Sequence, residues 1–125
     1  MDTGLVCYLV GLQSPEHLVG SPMAGALFET AVVSNFKKMV DAYGLRDGLY
    51  FYRSVAGLEV DLIVDHGGEL IPIEIKLSAT LLPRHWENIK NWQTLSKNEK
   101  GLMVIGSRDV GPLGQGVVNV HRSQI

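Results

Sequence analysis

The sequence predicts an α/β domain on a mixed central sheet, in the order helix, three strands, helix, strand, with an additional short helical segment at the N-terminus. Three observations carry this expectation. Between residues 22 and 42, apolar side chains recur at intervals of three and four, as one buried helix face requires. Between residues 49 and 77 stand three short β-branched and aromatic runs, separated by turn-forming pairs too short for helical crossovers. After Pro83 comes an amphipathic stretch, and then the apolar run LMVI at 102–105. The stretch is long enough to bring that run back parallel to a sheet neighbour.

Asp2 can cap a helix over Thr3 to Val10, with Gly11 as its stop. This segment is apolar on nearly every side, and such a helix requires cover all round. A neighbouring domain or a second copy meeting Leu5, Leu9 and Leu12 would supply it. The expected organisation is therefore an N-terminal helical interface segment over 1–20 and a main domain over 21–125. Met1 followed at once by this helix suggests a piece of a longer protein.

Ser14-Pro15 and Ser21-Pro22 each read as a cap followed by proline at the first helical position. The first opens a short element ending at Gly20. The second opens the long helix, with Phe28, Val32, Val33, Phe36, Met39 and Val40 as its stripe and Gly44 beyond its end. Leu49 to Arg53 is the first strand, Leu58 to Val64 the second and Glu69 to Leu77 the third, with reversals at Ala56-Gly57 and 65–68. A second helix is expected over Arg84 to Lys97. The Gly/Pro-rich stretch from Gly111 to Gly116 reads as a loop, and Val117 to Val120 as a last edge strand.

Composition bounds the function. With 46% hydrophobic and 19% charged residues, the chain is a well-buried globular unit and not a disordered one. A net charge of -2, from 11 basic and 13 acidic residues, gives no support for strong autonomous DNA binding, because phosphate neutralisation needs a basic surface. One cysteine, Cys7, cannot form an intrachain disulfide and fits a reducing cytoplasm. The longest apolar run is far too short to cross a bilayer, so no membrane association is expected. No Gly-x-x-x-x-Gly-Lys-Ser/Thr loop is present, which excludes ATP hydrolysis by this polypeptide.

One constellation carries chemistry. On the third strand Ile73, Ile75 and Leu77 alternate with Glu74 and Lys76, so the two charged residues share the face opposite the expected core. On the second strand Val60, Leu62 and Val64 alternate with Asp61, and a hairpin can set Asp61 beside Glu74. Two adjacent carboxylates repel unless a divalent cation or a proton relieves them. Magnesium favours such oxygen ligands, and the carbonyl of Ile75 can add another. Lys76 would then orient water and offset charge growing on a phosphate. Glu29 lies within the apolar stripe of the long helix, where an unpaired carboxylate is costly. Each residue alone has an ordinary explanation: a surface Glu-x-Lys pair, a solvated strand aspartate, a salt-bridge glutamate. Their combination is what points to a metal site. His17, His66, His85 and His121 show no metal spacing, and Trp86 and Trp92 read as packing anchors.

With these residues in hand, the chain resembles the PD-(D/E)XK, or restriction-endonuclease-like, superfamily. More narrowly it is similar to the DUF4143 domain, found C-terminal to the ATPase module in prokaryotic AAA+-type ATP-binding proteins. The phrases carrying the likeness are DTGLVCYLVG at 2–11, GALFETAVV at 25–33, YFYR at 50–53, GLEVDLIV at 57–64, PIEIKLS at 72–78 and GLMVIG at 101–106. The resemblance implies a restriction-endonuclease-like αβββαβ core. It places Glu29 at the acidic position of the helix, Asp61 at that of the second strand, and Glu74 and Lys76 at the Glu-x-Lys motif. Arg53 and Glu59 match further positions of the narrower family, for pairing or substrate orientation. Gln93 stands where some related nucleases use a glutamine.

The expected function is a magnesium- or manganese-dependent nuclease hydrolysing phosphodiester bonds in DNA. Its metal would be held by Asp61, Glu74 and the Ile75 carbonyl, with Glu29 acting through water. The alternative is a non-catalytic nuclease-like domain that couples an AAA+-type ATPase to nucleic acid or protein partners. The expected partners are DNA, the ATPase module and a second copy docked through the N-terminal apolar surface.

Overall fold

A computed structural model describes residues 11, 14–44, 48–78, 80–106, 111–114 and 116–121. The predicted N-terminal helix, Cys7 and the apolar surface of Leu5, Leu9 and Leu12 lie outside the described residues. Helix α1 spans Pro15–Gly20, and the hydroxyl of Ser14 accepts the amide hydrogen of His17 at 3.2 Å, the capping interaction its sequence predicts. Helix α2 spans Ala24–Ala42 and begins two residues later than Pro22. Ser21 and Pro22 form the turn that launches it: the Ser21 hydroxyl accepts from the Met23 amide, and the Ser21 carbonyl from the Ala24 amide. Gly44, at φ 65°, lies in the left-handed conformation just past the helix end.

Strands β1 (Leu49–Arg53), β2 (Glu59–His66) and β3 (Glu69–Lys76) form an antiparallel meander. A 3-10 turn over Pro83–Trp86 leads into α3 (Glu87–Ser96), so the predicted helix from Arg84 is α-helical only from Glu87. The chain returns as β4 (Gly101–Ile105), parallel to β3 as the connection length predicts. Strands β5 (Gly111–Gly114) and β6 (Val117–His121) complete a mixed six-stranded sheet in the order β1-β2-β3-β4-β6-β5. The expected edge strand is thus internal: β6 pairs with β4 on one side and with β5 on the other. The stretch read as a Gly/Pro loop supplies the edge. Proline is tolerated there because an edge strand leaves one row of amides outside the ladder.

Both faces of the sheet are covered. On one face Phe28, Val32 and Phe36 of α2 pack against Leu62, Ile73, Ile75 and Val104. On the other, Ile89 of α3 packs with Met103, Ile105 and Val117, and Trp92 with Val60, Ile63 and Tyr52. Each fully buried aliphatic side chain contributes roughly 1.5–3 kcal/mol by leaving water. Met39, placed in the stripe by its spacing, is exposed at the margin of α2.

The alternation of β2 does not run straight. Tyr50 pairs with Ile63 but Tyr52 with Val60, so β2 spends one residue more than β1 over this stretch. This is a β-bulge, and it sends Val60 to the α3 face while Leu62 and Val64 pack on the α2 face. The expectation that Val60, Leu62 and Val64 line one face is corrected by it. The bulge falls at Asp61, where the candidate site begins.

Candidate functional site

The β2–β3 ladder runs from His66 opposite Glu69 to Leu62 opposite Ile73. Beyond it the Asp61 side chain takes the place of a backbone partner: its Oδ2 accepts the Ile75 amide hydrogen at 2.8 Å. In a strand the amide and carbonyl of one residue point to the same side. The Ile75 carbonyl therefore also faces the gap beside Asp61.

Glu74 stands next to Met103 in the β3–β4 register, on the face that α3 covers. The sequence places Glu74 away from the core, but because β3 is central and both faces are packed, the residue is only 1% exposed. Among the described residues neither carboxylate oxygen of Glu74 accepts a well-directed hydrogen bond, and the nearest cation is the Lys76 ammonium. Lys76 Nζ lies 3.4 Å from Glu74 Oε2 and 3.8 Å from Asp61 Oδ2, near enough for ion pairing. A buried carboxylate pays a heavy desolvation penalty, which raises its pKa. Burial, reinforced by the Asp61 charge and opposed by Lys76, pushes Glu74 up to about 8. Burial alone would lower Lys76, but Asp61, Glu74 and Glu29 outweigh it and hold the ammonium above its usual range.

Glu29 projects from the second turn of α2 towards the same cluster. Its pKa is raised by partial burial and by the negative charge of Asp61, with Lys76 opposing and Glu59 adding to the rise. Glu29, Glu59 and Asp61 line a cleft of about 310 Å³ with Phe51, Tyr52, Arg53 and Val60. On its rim Arg53 Nη2 donates to Glu59 Oε2 at 2.9 Å. The structure thus gathers Asp61, Glu74 and Lys76 into one contact cluster, with Glu29 beside it and the Arg53–Glu59 pair at the mouth of the cleft. Among the described residues, no group of three or more His, Cys, Asp or Glu side chains converges closely enough to hold a metal ion by itself.

Comparison with known families assigns the chain. Residues 24–124 match the family model described as Domain of unknown function (DUF4143). The chain belongs to the DUF4143 family. No curated protein and no solved structure matches it. The matched segment begins with the first residue of α2 and takes in the whole sheet, so every member of the cluster lies within the DUF4143 domain.

Other residues singled out in this DUF4143 sequence fall elsewhere. Gln93 donates through Nε2 to the Glu99 carbonyl at 3.1 Å and lines a separate groove with Lys90, Thr94 and Lys97. His85 Nδ1 accepts the Leu82 amide hydrogen at 3.1 Å, securing the 3-10 turn. Partial burial, then Arg84 and Lys76, lower its pKa. Trp92 is a packing anchor as expected, meeting Tyr52 edge-on at a centroid distance of 4.8 Å. Trp86 is half-buried beneath the Lys90 ammonium, 5.5 Å from its ring. Phe51 escaped the sequence reading. It stands in the cleft wall at 72% exposure, and the available signal was its place between two tyrosines whose alternation sends it to the opposite face.

Proposed function

We propose that this DUF4143 domain is a divalent-metal-dependent phosphodiesterase acting on DNA, built on a restriction-endonuclease-like core of the PD-(D/E)XK type. The observation that carries the proposal is Glu74: a fully buried carboxylate that accepts no well-directed hydrogen bond from the described residues and meets only the partly exposed Lys76 ammonium, set against Asp61 where two strands part. Burying two neighbouring carboxylates against a single ammonium is expensive, and a fold tolerates it where the pair has a ligand to meet.

The donor set suits magnesium or manganese. These ions take oxygen ligands, and magnesium uses one or two carboxylates and completes its shell with water and substrate phosphate. Asp61 and Glu74 would be the two carboxylates, the Ile75 carbonyl faces the same gap, and Glu29 would act through water. When bound, the ion would supply charge stabilisation at the phosphate and help to activate water for attack. The chain's own residues do the rest. Lys76, 42% exposed at its side chain, reaches from the cluster to the solvent side, where it orients the attacking water and offsets charge on the phosphate. The Arg53–Glu59 pair borders the cleft where it can orient a substrate strand.

One observation favours a second reading. Lys76 already pairs with both carboxylates, and such a trio can serve as a structural element of a non-catalytic domain coupling an AAA+-type ATPase to nucleic acid or protein partners. Two measurements separate the readings. Residue-resolved titration with magnesium or manganese should perturb Ile75 and its neighbours in the wild type and leave Asp61→Asn unaffected. Cleavage of a DNA substrate should need the ion and fall about 10²–10³-fold in Lys76→Ala. Cleavage undiminished by Lys76→Ala removes the mechanism; no site-local response to either ion selects the non-catalytic reading.

A further inference from the structure

The aromatic strand β1 is the outer strand on its side of the sheet, and its side chains divide between the two faces. Tyr52 turns to the α3 face and packs on Trp92, with Tyr50 beside Ile63 on the same face. Phe51 and Arg53 therefore share the α2 face. Although α2 covers Leu62 and Ile73 there, it leaves Phe51 72% exposed. A singly exposed apolar residue needs no explanation by itself. The position of Phe51 does: it forms one wall of the cleft whose other walls carry Glu29, Glu59 and Asp61, next to the Lys76 cluster.

We propose that Phe51 is a stacking platform for an unpaired base, so that the cleft beside Asp61 receives single-stranded or locally opened nucleic acid rather than intact duplex. This rests on the phosphodiesterase reading for the nature of the polymer and adds which form of it is bound. Bases inside a duplex present their faces to one another, so an aromatic wall has nothing to stack on until a base is unpaired. Arg53 lies two residues along the same strand, about 7 Å from Phe51. Its side chain is 76% exposed and its Nη2 meets Glu59, so the further N–H donors of the guanidinium fork are available to a neighbouring phosphate. Stacking also suits the charge of the molecule. A chain of net charge -2 with an acidic cleft gains little from phosphate neutralisation, whereas base–aromatic stacking draws on no net charge.

The test is binding by the full chain without turnover, with calcium replacing magnesium. The probes are a short single-stranded oligonucleotide carrying a fluorescent 2-aminopurine base and its duplex form. The wild type should bind the single strand more tightly than the duplex and quench the fluorescent base. Phe51→Ala should weaken single-strand binding by roughly fivefold to a hundredfold and abolish the quenching, while Phe51→Trp retains both. Because the side chain is exposed, Phe51→Ala should unfold at the wild-type temperature, which separates loss of stacking from loss of fold. Equal affinity of Phe51→Ala and wild type, preference for duplex, or no binding by the wild type each overturns the proposal. If absent binding is accompanied by self-association that Phe51→Ala disrupts, the residue belongs to a protein contact. The two readings fail separately: quenching through Phe51 without any cleavage in magnesium sinks hydrolysis and keeps the platform. Duplex cleavage indifferent to Phe51→Ala does the reverse.

Discussion

At Glu74, burial and the Asp61 charge both favour the protonated carboxyl, and only Lys76 pulls the other way. Between the ordinary value of 4.5 and about 8, the folded protein holds a proton that the unfolded chain has released, so stability falls as pH rises through that window. Lys76 adds to the fall at higher pH: its raised pKa gives a contribution present below 10.5 and lost as pH climbs through the folded value. Glu74→Gln imitates the protonated state. In urea unfolding with a chelator present, it should match the wild type in acid and exceed it by on the order of 1–3 kcal/mol near pH 8, with a flattened pH slope. Parallel pH profiles for the two proteins would contradict the burial argument. On the proposed metal-dependent reading the same proton would govern metal uptake, because a carboxylate must ionise before it can ligate. Magnesium or manganese affinity should therefore rise between pH 6 and about 8 with release of about one proton. Calorimetry in buffers of different ionisation enthalpy reads that proton directly, and a pH-independent affinity would remove Glu74 from the ligand set.

Among the elements, those whose signals are local were legible in the sequence. The Ser14-Pro15 start of α1 and the Gly44 stop of α2 were readable, whereas Ser21-Pro22 marks the turn before α2 and not its first residue, and β1 spans Leu49–Arg53 as its composition predicts. The Glu-x-Lys spacing placed Glu74 and Lys76 on one face because alternation is a property of the backbone itself. What was not legible depends on neighbours. No side chain marks the bulge at Asp61, because it arises from pairing with β1; nor does Glu74 itself reveal that α3 seals the face above it. Strand β5 was hidden by its own composition, Gly111-Pro112-Leu113-Gly114, which reads as loop until β6 offers it a ladder. The approach to β6 depends on one glycine. Gly116 has φ 74°, its carbonyl accepts the Gly101 amide hydrogen, and a Cβ there would collide with the Glu99 carbonyl. Gly116→Ala should cost at least about 3 kcal/mol, from left-handed strain and a backbone clash together. Denaturant unfolding measures it; a cost under about 1 kcal/mol would show that the turn relaxes freely.

For the molecule as a whole, charge decides how it can hold a polyanion. Of the 11 basic residues, Lys37, Arg53, Lys76 and Lys100 are already paired with carboxylates, and the cleft itself is lined by Glu29, Glu59 and Asp61. A nucleic acid in that cleft can neutralise few of its phosphates against protein cations. Under the proposed function, affinity would then come from stacking, from hydrogen bonds and from a divalent ion shared between carboxylates and phosphate. Each phosphate neutralised by a protein cation contributes a slope of about -0.9 to the dependence of log affinity on log salt for duplex and about -0.7 for a single strand. With two or three such contacts, raising monovalent salt from about 50 to about 200 mM at fixed calcium should weaken oligonucleotide binding by roughly tenfold. Proteins that make six or more contacts lose about a thousandfold or more over the same range. Fluorescence anisotropy across that range measures the slope. A thousandfold loss would mean that a basic surface governs binding and that the carboxylate cleft is not where the strand is held. A shallow slope that steepens when calcium is withdrawn would place the ion between the Asp61–Glu74 pair and the phosphate.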